Sequence, residues 1–330
     1  MSQNAPAPRP SGSGKLKKPL HRLKFHGKGG DLLVMHLINM CLTAVTFGIY
    51  SFWAKVKVRK YMFSQLEFQK ERFSYHGDGK ELFIGAIKAF GIFFGLFLMN
   101  AAFAATKNSA LSVLGILIMY GVILALVPYA IVGSQKYQLS RTALMGIRFS
   151  FRGDAKELVK LFVPNALLTA VTFGFYAPFF QAKMQNYMVN HSYYGNTGFK
   201  SAVDGKEMFK TFVISALLHI PTLGLVWLWY AVKQQNYYAS KTTFAGARFE
   251  SNVTVMDMAK LMIVNALLIG FTAGLAFPWV IVRNMTFMCD HLVLKGDVDF
   301  GAIKQQAQLA SATADGLADA LDLDVGIGMM

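Results

Sequence analysis

The sequence is poor in charge, in cysteine and in catalytic motifs. Charged residues make up 15% of its 330 residues, against about 25% in an average soluble protein. Its 2 cysteines, Cys41 and Cys289, are too few for a disulfide framework or a cysteine-rich zinc site. The histidines lack HxxxH and HExxH spacing, and no P-loop, dinucleotide fingerprint or Gly-Xaa-Ser-Xaa-Gly elbow occurs. We therefore expect no enzyme activity, no metal site and no cofactor.

Apolar residues are abundant instead. They form 54% of the chain, with 28 Phe and 17 Met, so the polar side chains cannot cover the apolar surface and the solvent must be partly lipid. The formal net charge of +15 is compatible with nucleic acid. Beside long apolar segments it fits the anionic lipids of a cytoplasmic leaflet better. We expect membrane lipids as partners, and no nucleic acid.

The two ends of the chain differ from its middle. Residues 1–20 are rich in Pro, Ser and Gly and then basic, and they contain no signal-peptide core. Seven Lys or Arg and no acid occur up to Gly30, which predicts a disordered, basic N-terminal tail that stays in the cytoplasm. Residues 300–330 read as an acidic, Ala/Gly-rich tail without a span. We expect both termini in the cytoplasm and a protein partner, if there is one, at the C-terminal tail.

Six stretches are long and apolar enough to enter a bilayer: 32–54, 82–106, 110–133, 158–182, 208–232 and 261–282. They are related, because residues 25–62 align without a gap on residues 151–188 and share the run Leu-Thr-Ala-Val-Thr-Phe-Gly. One acid precedes the apolar part of each unit, at Asp31, Glu81, Glu157, Glu207 and Asp257, with spacings of 50, 76, 50 and 50 residues. Such a period indicates five copies of one supersecondary unit.

Each unit has the same predicted order of elements. A short arm of alternating aromatic and polar residues comes first, then the acid, an apolar helix, a Thr-Xaa-Gly break and a second helix rich in aromatics and cations. We predict an all-α membrane protein, a multi-pass helical bundle of five homologous helix-hairpin-like repeats with short cytoplasmic β segments. The predicted transmembrane domain is 21–299, with units at about 21–71, 72–147, 148–197, 198–247 and 248–299.

These motifs resemble the YjgN-type family of bacterial inner-membrane proteins. The likeness rests on Gly-Asp/Lys-Glu-Leu, Asn-Xaa-Leu-Leu-Thr, Thr-Phe-Gly-Xaa-Tyr, Phe-Trp-Ala-Lys-Val and the Asp/Leu tail at 318–324. The resemblance implies a location and no reaction, because the family is one of unknown function. The second unit departs most, since it lacks the Thr-Xaa-Gly break and has two long apolar runs around Lys107.

The sequence leaves two topologies open. If all six apolar runs cross once, most loop cations lie outside, against the positive-inside rule. If each unit is instead a hairpin that turns at Thr-Xaa-Gly, almost every cation is cytoplasmic and Lys107 lies opposite. A helix of about 15 residues reaches only about 22 Å, short of a hydrocarbon core of about 30 Å. The charge distribution favours hairpins, of which the short ones re-enter the membrane.

A polar stripe recurs on the first helix of four units, at positions i, i+4 and i+7, which share one helix face. Its members are Asn39, Thr43, Thr46, Asn165, Thr169, Thr172, Ser215, His219, Thr222, Asn265 and Thr272. Interhelical packing is the simpler interpretation, and a polar pathway is the functional one. His219 is the member that titrates near neutral pH.

Two sets of charged residues are further candidates. The five acids before the helices favour the positive helix ends, with an ion-coordinating ring as the alternative. The cations of the second helices are expected to contact lipid head groups; these are Lys57, Lys183, Lys233 and Arg283.

The leading functional hypothesis is non-catalytic binding or transport of a small or lipid-like solute, because duplicated membrane units place sites at repeat interfaces. The alternative is a structural or partner-docking protein without transport activity. The subunit number is open, and the sequence leaves room for an oligomer.

Overall fold

The computed structural model describes residues 19–305. All but the last two residues of the predicted N-terminal tail and all but the first six residues of the predicted C-terminal tail lie outside this range. The part of the C-terminal tail beyond residue 305, where a partner was expected to dock, is therefore not described.

The helices come in five pairs, and the two helices of each pair are joined by a short turn. The pairs are α1 (Gly29–Val45) and α2 (Ser51–Gln65), α3 (Gly79–Ala105) and α4 (Ser109–Arg141), α5 (Ala155–Val171) and α6 (Ala177–Asn190), α7 (Gly205–Leu217) and α8 (Val226–Lys241), and α9 (Val255–Phe271) and α10 (Phe277–His291). Each pair packs on the next through α2–α3, α4–α5, α6–α7 and α8–α9, and α10 packs on α1. The helices therefore form a closed ring.

Short strands follow each helix pair. They are β1 (Leu20–Phe25), β2 (Leu66–Phe68), β3 (Glu71–Arg72), β4 (Ser74–Tyr75), β5 (Thr142–Leu144), β6 (Ile147–Phe151), β7 (Ser192–Tyr194), β8 (Thr197–Ser201), β9 (Thr242–Phe244), β10 (Ala247–Ser251) and β11 (Leu292–Lys295). All eleven belong to one antiparallel sheet with the order β3-β2-β1-β11-β10-β9-β8-β7-β6-β5-β4.

The sheet is a nearly closed barrel. Its two edge strands, β3 and β4, are consecutive in the chain and separated only by Phe73. The backbone N–H of Phe73 donates to the carbonyl of Leu66 at 3.0 Å, and that of His76 donates to the carbonyl of Arg141 at 2.7 Å. The first strand pairs with the last, β1 with β11, so that Leu20 lies opposite Lys295. Closure leaves few unpaired edge groups, which is how barrels avoid exposed edges.

The prediction of an all-α bundle is therefore wrong. The short β segments of the prediction form a single barrel-like sheet beneath the helix ring. The prediction failed because each arm pairs with strands of its neighbouring units, and the alternation of residues within one arm does not show its distant partners. In the described part of the chain, only α3 and α4 are long and apolar enough to cross a membrane by length and composition.

Aromatic side chains fill the inside of the barrel. Phe68, Phe149, Tyr194 and Phe244 are buried together with Leu294 in one cluster. The rings of Phe149 and Tyr194 lie 4.8 Å apart. Alternate residues of each strand point inward, so the aromatic–polar alternation of the sequence supplies this core. Each such ring pair adds roughly 0.5–1.5 kcal/mol beyond its area burial.

The turn between the short helices has one geometry. At the Thr-Xaa-Gly break of α5–α6, Phe173 has φ 49° and Gly174 has φ 89°. The positive φ, and not lack of space, calls for glycine, because a Cβ added at Gly174 would have no atom within 4 Å. The same pair of positive φ angles recurs at 47–48, 223–224 and 273–274. The helix pairs are hairpins.

Candidate functional site

A cavity of about 720 Å³ extends from the inside of the barrel toward the axis of the helix ring. The barrel contributes mainly aromatic and aliphatic side chains, and the second helices α4, α6 and α8 contribute glutamines interspersed with apolar residues. The barrel residues are His21, Leu23, Phe68, Phe73, Leu144, Phe149, Ser192, Tyr194, Phe199, Thr242, Phe244, Phe249, Leu292 and Leu294. Its volume lies within the range of small-molecule sites, about 300–1,000 Å³.

A layer of glutamines forms the helix side of the cavity. Three of them, Gln135, Gln185 and Gln235, hold equivalent positions on α4, α6 and α8, and Gln181 and Gln234 complete the layer. The side-chain amide of Gln234 donates to the side-chain oxygen of Gln181 at 2.7 Å, which joins α8 to α6. Glutamine offers two donors and an acceptor without charge. The layer can therefore bind a neutral polar group.

The cavity wall carries no carboxylate, ammonium or guanidinium group among the described residues. The hydroxyl of Tyr194 donates to the carbonyl of Leu144 at 2.8 Å. Burial raises the pKa of Tyr194 above its ordinary value, so its hydroxyl is neutral at physiological pH. Apart from the imidazole of His21, the described lining offers a charged ligand no basic group and no carboxylate to replace its lost hydration, and that loss is costly.

The far end of the cavity has a floor made by the segment after β11. Val298 and Ile303 are buried in the barrel cluster, and Phe300 packs edge-on against Phe68 with ring centroids 5.5 Å apart. The amide of Lys304 donates to the side-chain oxygen of Asn196 at 3.2 Å. Residues 300–330 were predicted as a tail, but the structure packs Phe300 and Ile303 into the barrel cluster.

The predicted polar stripe lies inside the hairpins and away from the cavity. The clearest case is Asn165, whose Oδ1 accepts from the hydroxyl of Tyr176 at 3.0 Å and from Nζ of Lys183 at 2.8 Å. The hydroxyl of Thr169 donates to the backbone carbonyl of Asn165 at 2.7 Å. The stripe of α5 and the cation of α6, predicted as separate sets, thus meet within one hairpin.

The equivalent asparagines have different surroundings. Oδ1 of Asn265 accepts from Nε of Arg283 at 3.2 Å, and its amide donates to Asn284 at 2.7 Å. Asn39 is buried, yet neither atom of its amide has a hydrogen-bond partner within the described residues. The nearby Lys57 donates to the hydroxyl of Tyr50 at 3.4 Å instead.

The fourth hairpin, α7–α8, uses other residues at these positions. The hydroxyl of Ser215 donates to the carbonyl of Thr211 at 2.9 Å. Nδ1 of His219 accepts from the indole of Trp227 at 2.9 Å, which fixes the tautomer with the proton on Nε2. Lys233 lies 4.6 Å from the ring of Trp229, a distance typical of a cation–π contact.

The threonines at the end of the stripe stabilise the turns through two hydrogen bonds each. The hydroxyl of Thr172 donates to the carbonyl of Leu168 at 2.7 Å and accepts from the N–H of Tyr176 at 3.1 Å. The same two bonds are made by Thr46, Thr222 and Thr272. Thr43, one turn earlier, supplies the carbonyl that accepts from the N–H of Gly48 at 2.8 Å.

Three of the predicted acids lie near a basic side chain of their own hairpin at its barrel end. One guanidinium nitrogen of Arg141 donates to both carboxylate oxygens of Glu81, at 2.7 and 2.9 Å. Glu157 lies 3.7 Å from His191, and Asp257 lies 3.8 Å from His291.

The fifth hairpin adds a capping box to this arrangement. The hydroxyl of Thr254 donates to the carboxylate of Asp257 at 2.6 Å, and this bond lowers the pKa of Asp257.

Asp31 and Glu207 make no ion pair within residues 19–305. No group of three or more His, Cys, Asp or Glu side chains that could hold a metal occurs in that range.

None of the predicted stripe residues, acids or cations is among the described residues that line the cavity. Sequence reasoning missed the glutamines, although the same period of 50 residues marks Gln135, Gln185 and Gln235. It also missed that the aromatic residues of the predicted β segments line a cavity.

The sequence matches a known protein family over most of its length. Residues 20–227 and 213–320 match the family described as "Bacterial protein of unknown function (DUF898)". The chain belongs to this family. No solved structure matches the chain.

Curated relatives carry the name inner membrane protein YjgN, which confirms the resemblance noted from the motifs. The one from Salmonella typhimurium is 32% identical over 132 residues, 40% of this chain and 31% of that protein. The one from Escherichia coli O157:H7 is 31% identical over 158 residues, 47% of this chain and 37% of that protein. The matched segments thus span well under half of these relatives. The family member described here is an integral protein of the bacterial inner membrane.

Proposed function

We propose that this protein binds a small, neutral, lipid-like molecule in the cavity between the barrel and the helix ring, and that it does so without catalysis. The observation that carries the proposal is the composition of the cavity wall. Aromatic and aliphatic side chains dominate the barrel side of the cavity, five glutamines lie among apolar residues on the helix side, and the described lining residues contain no Asp, Glu, Lys or Arg.

This arrangement matches the two parts of an amphiphile. The rings of Phe199 and Phe244, 4.5 Å apart, offer an apolar surface for a hydrocarbon chain. Gln185 and Gln235, together with the Gln181–Gln234 pair, offer donors and acceptors for hydroxyl, ester or amide groups. Apolar pockets with a few placed polar groups are typical of small-molecule sites.

Binding is favoured over passage along the polar stripe. The amide of Asn165 and the hydroxyl of Thr172 are engaged by neighbours within their own hairpin, so they are not arranged to line a path for solute. This geometry agrees with the packing interpretation of the stripe.

The proposal is tested by filling the cavity. Ala239 lines it on α8, and Ala239→Trp would put an indole into its space. Ala170→Trp on α5 is the matched control, because Ala170 is exposed and outside the cavity. Native mass spectrometry of the purified protein is carried out with monoolein as the neutral probe. Lysophosphatidic acid with the same acyl chain serves as the anionic probe.

We expect one equivalent of monoolein to stay bound to the wild type and to Ala170→Trp, and tenfold weaker retention by Ala239→Trp. The anionic probe should be retained less than monoolein by the wild type. Equal retention of monoolein by both tryptophan variants would contradict a site in the cavity. Stronger retention of the anionic probe, insensitive to Ala239→Trp, would indicate surface contacts only.

A further inference from the structure

We infer that the four short hairpins end inside the hydrocarbon of one membrane leaflet, and that only the α3–α4 hairpin crosses the bilayer. The partner of the short hairpins is then the acyl-chain region of the leaflet next to the barrel. Four independent features of the described residues point to this arrangement: the chemistry of the tips, their backbone bonding, the helix lengths and the depth of the cations.

The tips of the short hairpins carry large apolar side chains at full exposure. Phe47 is 98% exposed, Phe173 94% and Leu223 92%, and each holds the middle position of its turn. Neighbouring residues extend this apolar surface: Val45, Val171, Leu217, Ile220 and Phe271 are all strongly exposed. Such patches mark contact surfaces, and in an inner-membrane protein an apolar turn can meet lipid chains.

The backbone at these tips satisfies its own hydrogen bonds. At the α5–α6 turn, the N–H of Gly174 donates to the carbonyl of Thr169 at 2.8 Å, and the N–H of Phe173 donates to Ala170 at 3.1 Å. The hydroxyl of Thr172 saturates one carbonyl and one N–H. Unsatisfied backbone groups cost several kcal/mol each in hydrocarbon, so a self-bonded turn is what an embedded tip requires.

The tip of the long hairpin, α3–α4, is polar and exposed. Its tip consists of Thr106, Lys107, Asn108 and Ser109, all exposed. The side chain of Asn108 accepts from the N–H of Ala110 at 2.9 Å and caps α4. A lysine in the middle of a membrane costs at least about 2.5–3.5 kcal/mol, so a tip with Lys107 belongs in water beyond the membrane.

The helix lengths agree with short hairpins that end inside the membrane and a long hairpin that crosses it. The 27 residues of α3 extend about 40 Å, and the 17 residues of α5 extend about 25 Å. The two helices start from the same barrel end of the ring, so the α3–α4 hairpin projects about 15 Å beyond its neighbours. That difference is half of a hydrocarbon core of about 30 Å.

The cations of the second helices give the depth independently. Lys57, Lys183, Lys233 and Arg283 each lie nine residues after the glycine of their turn, which corresponds to about 13 Å of helix. Lysine and arginine favour the head-group level. With the cations at that level, the tips reach the middle of the bilayer, in agreement with the helix lengths.

The inference is tested with an environment-sensitive dye on single cysteines in liposomes. Cys41 and Cys289 are first replaced by serine and alanine. The dye is attached through Phe173→Cys, Leu223→Cys or, as the matched control, Lys107→Cys, all at the positive-φ position of a turn. Quenching is measured with iodide on either side of the membrane and with lipids that carry a nitroxide at the chain ends.

We expect the dyes at positions 173 and 223 to be quenched at least fivefold more by the nitroxide lipids than by iodide. The dye at 107 should show the reverse, with iodide on the side away from the barrel. Iodide quenching at 173 or 223 from either side would overturn the inference. So would protection of position 107 from iodide on both sides.

A second variant separates membrane insertion from backbone strain. Phe173→Asn suits φ 49° better than Phe173→Leu does, because asparagine tolerates left-handed backbone. If the tip lies in hydrocarbon, the asparagine variant should still lower the yield of membrane-inserted protein several-fold relative to the leucine variant. Equal yields would place the tip in water and contradict the proposal.

Discussion

The asparagines at one repeated position predict mutational effects of opposite sign. Asn165→Leu removes the acceptor for Tyr176 and Lys183. Hydrogen bonds between membrane helices are worth roughly 0.6 kcal/mol each, with a maximum of about 1.7, and bonds to charged groups lie at the upper end. Because Lys183 is exposed, its share is reduced by solvent screening. We expect Asn165→Leu to lower the free energy of unfolding by about 1–2 kcal/mol.

Asn39 provides the matched control in the first hairpin. Its amide is buried without a partner in the described structure, and an unsatisfied buried polar group costs about 1–3 kcal/mol. Asn39→Leu removes that cost and should leave the stability unchanged or raise it by up to about 1 kcal/mol. The double variant Asn165→Leu with Lys183→Met should recover at least half of the single loss, because both partners then become apolar.

Unfolding in mixed micelles, followed by circular dichroism, measures all four proteins on one scale. Equal destabilisation by Asn39→Leu and Asn165→Leu would refute the reasoning, since it would mean that helix position and not bonding sets the cost. A double variant no more stable than Asn165→Leu would show that the ammonium–amide bond is not what the single variant lost.

Three further predictions use the same assay. Glu81→Gln should lower stability by roughly 1 kcal/mol, because it loses the ion pair with the less exposed Arg141. An unchanged unfolding midpoint would show that this ion pair does not stabilise the hairpin. Burial raises the pKa of Tyr194, so its neutral form stabilises the barrel fully below pH about 10, and this contribution decreases as the pH rises above that value. Tyr194→Phe should lower stability by about 1 kcal/mol at neutral pH, because the hydrogen bond to Leu144 is lost, and its stability should depend less on pH in the alkaline range. Parallel alkaline profiles of the variant and the wild type would contradict the burial argument. Gly174→Ala, at φ 89°, should cost about 1 kcal/mol or more, and a neutral effect would contradict the turn geometry.

Much of the local structure follows from the sequence. The Thr-Xaa-Gly break predicts the turn at 172–174, because glycine accepts the positive φ and threonine supplies a hydroxyl to the helix end. The acid before each apolar run predicts a helix start, and Asp257 indeed forms a capping box with Thr254. These features depend on neighbours within one turn of helix.

The barrel could not be predicted in the same way. β1 and β11 are separated by almost the whole described chain, and their pairing places His21 opposite Leu294. Alternation within a six-residue strand indicates which side chains point inward, but it does not specify the partner strand. Closure is a property of the five units together, so the prediction of an all-α bundle with short β segments was wrong although its local signals were correct.

The candidate cavity was hidden for a related reason. Gln185 lies on the same helix as Lys183, two residues further along and therefore on another face. Lys183 was predicted to face lipid head groups, whereas Gln185 faces the axis of the helix ring. The period that brings Gln135, Gln185 and Gln235 into register was present in the sequence, and only the ring shows that these positions converge.

The side of the membrane on which the barrel lies is the most direct test of the account. Single cysteines at the barrel turns Gln69, Asn196 and Ala245 and at the hairpin tip Lys107 are exposed to a membrane-impermeant thiol reagent in intact cells whose outer membrane has been opened. The account predicts labelling at Lys107 alone, with the three turn positions labelled only after the cells are lysed. Labelling of any barrel turn in intact cells would contradict it, because the barrel would then face the periplasm and not the cytoplasm, as the distribution of cations predicts.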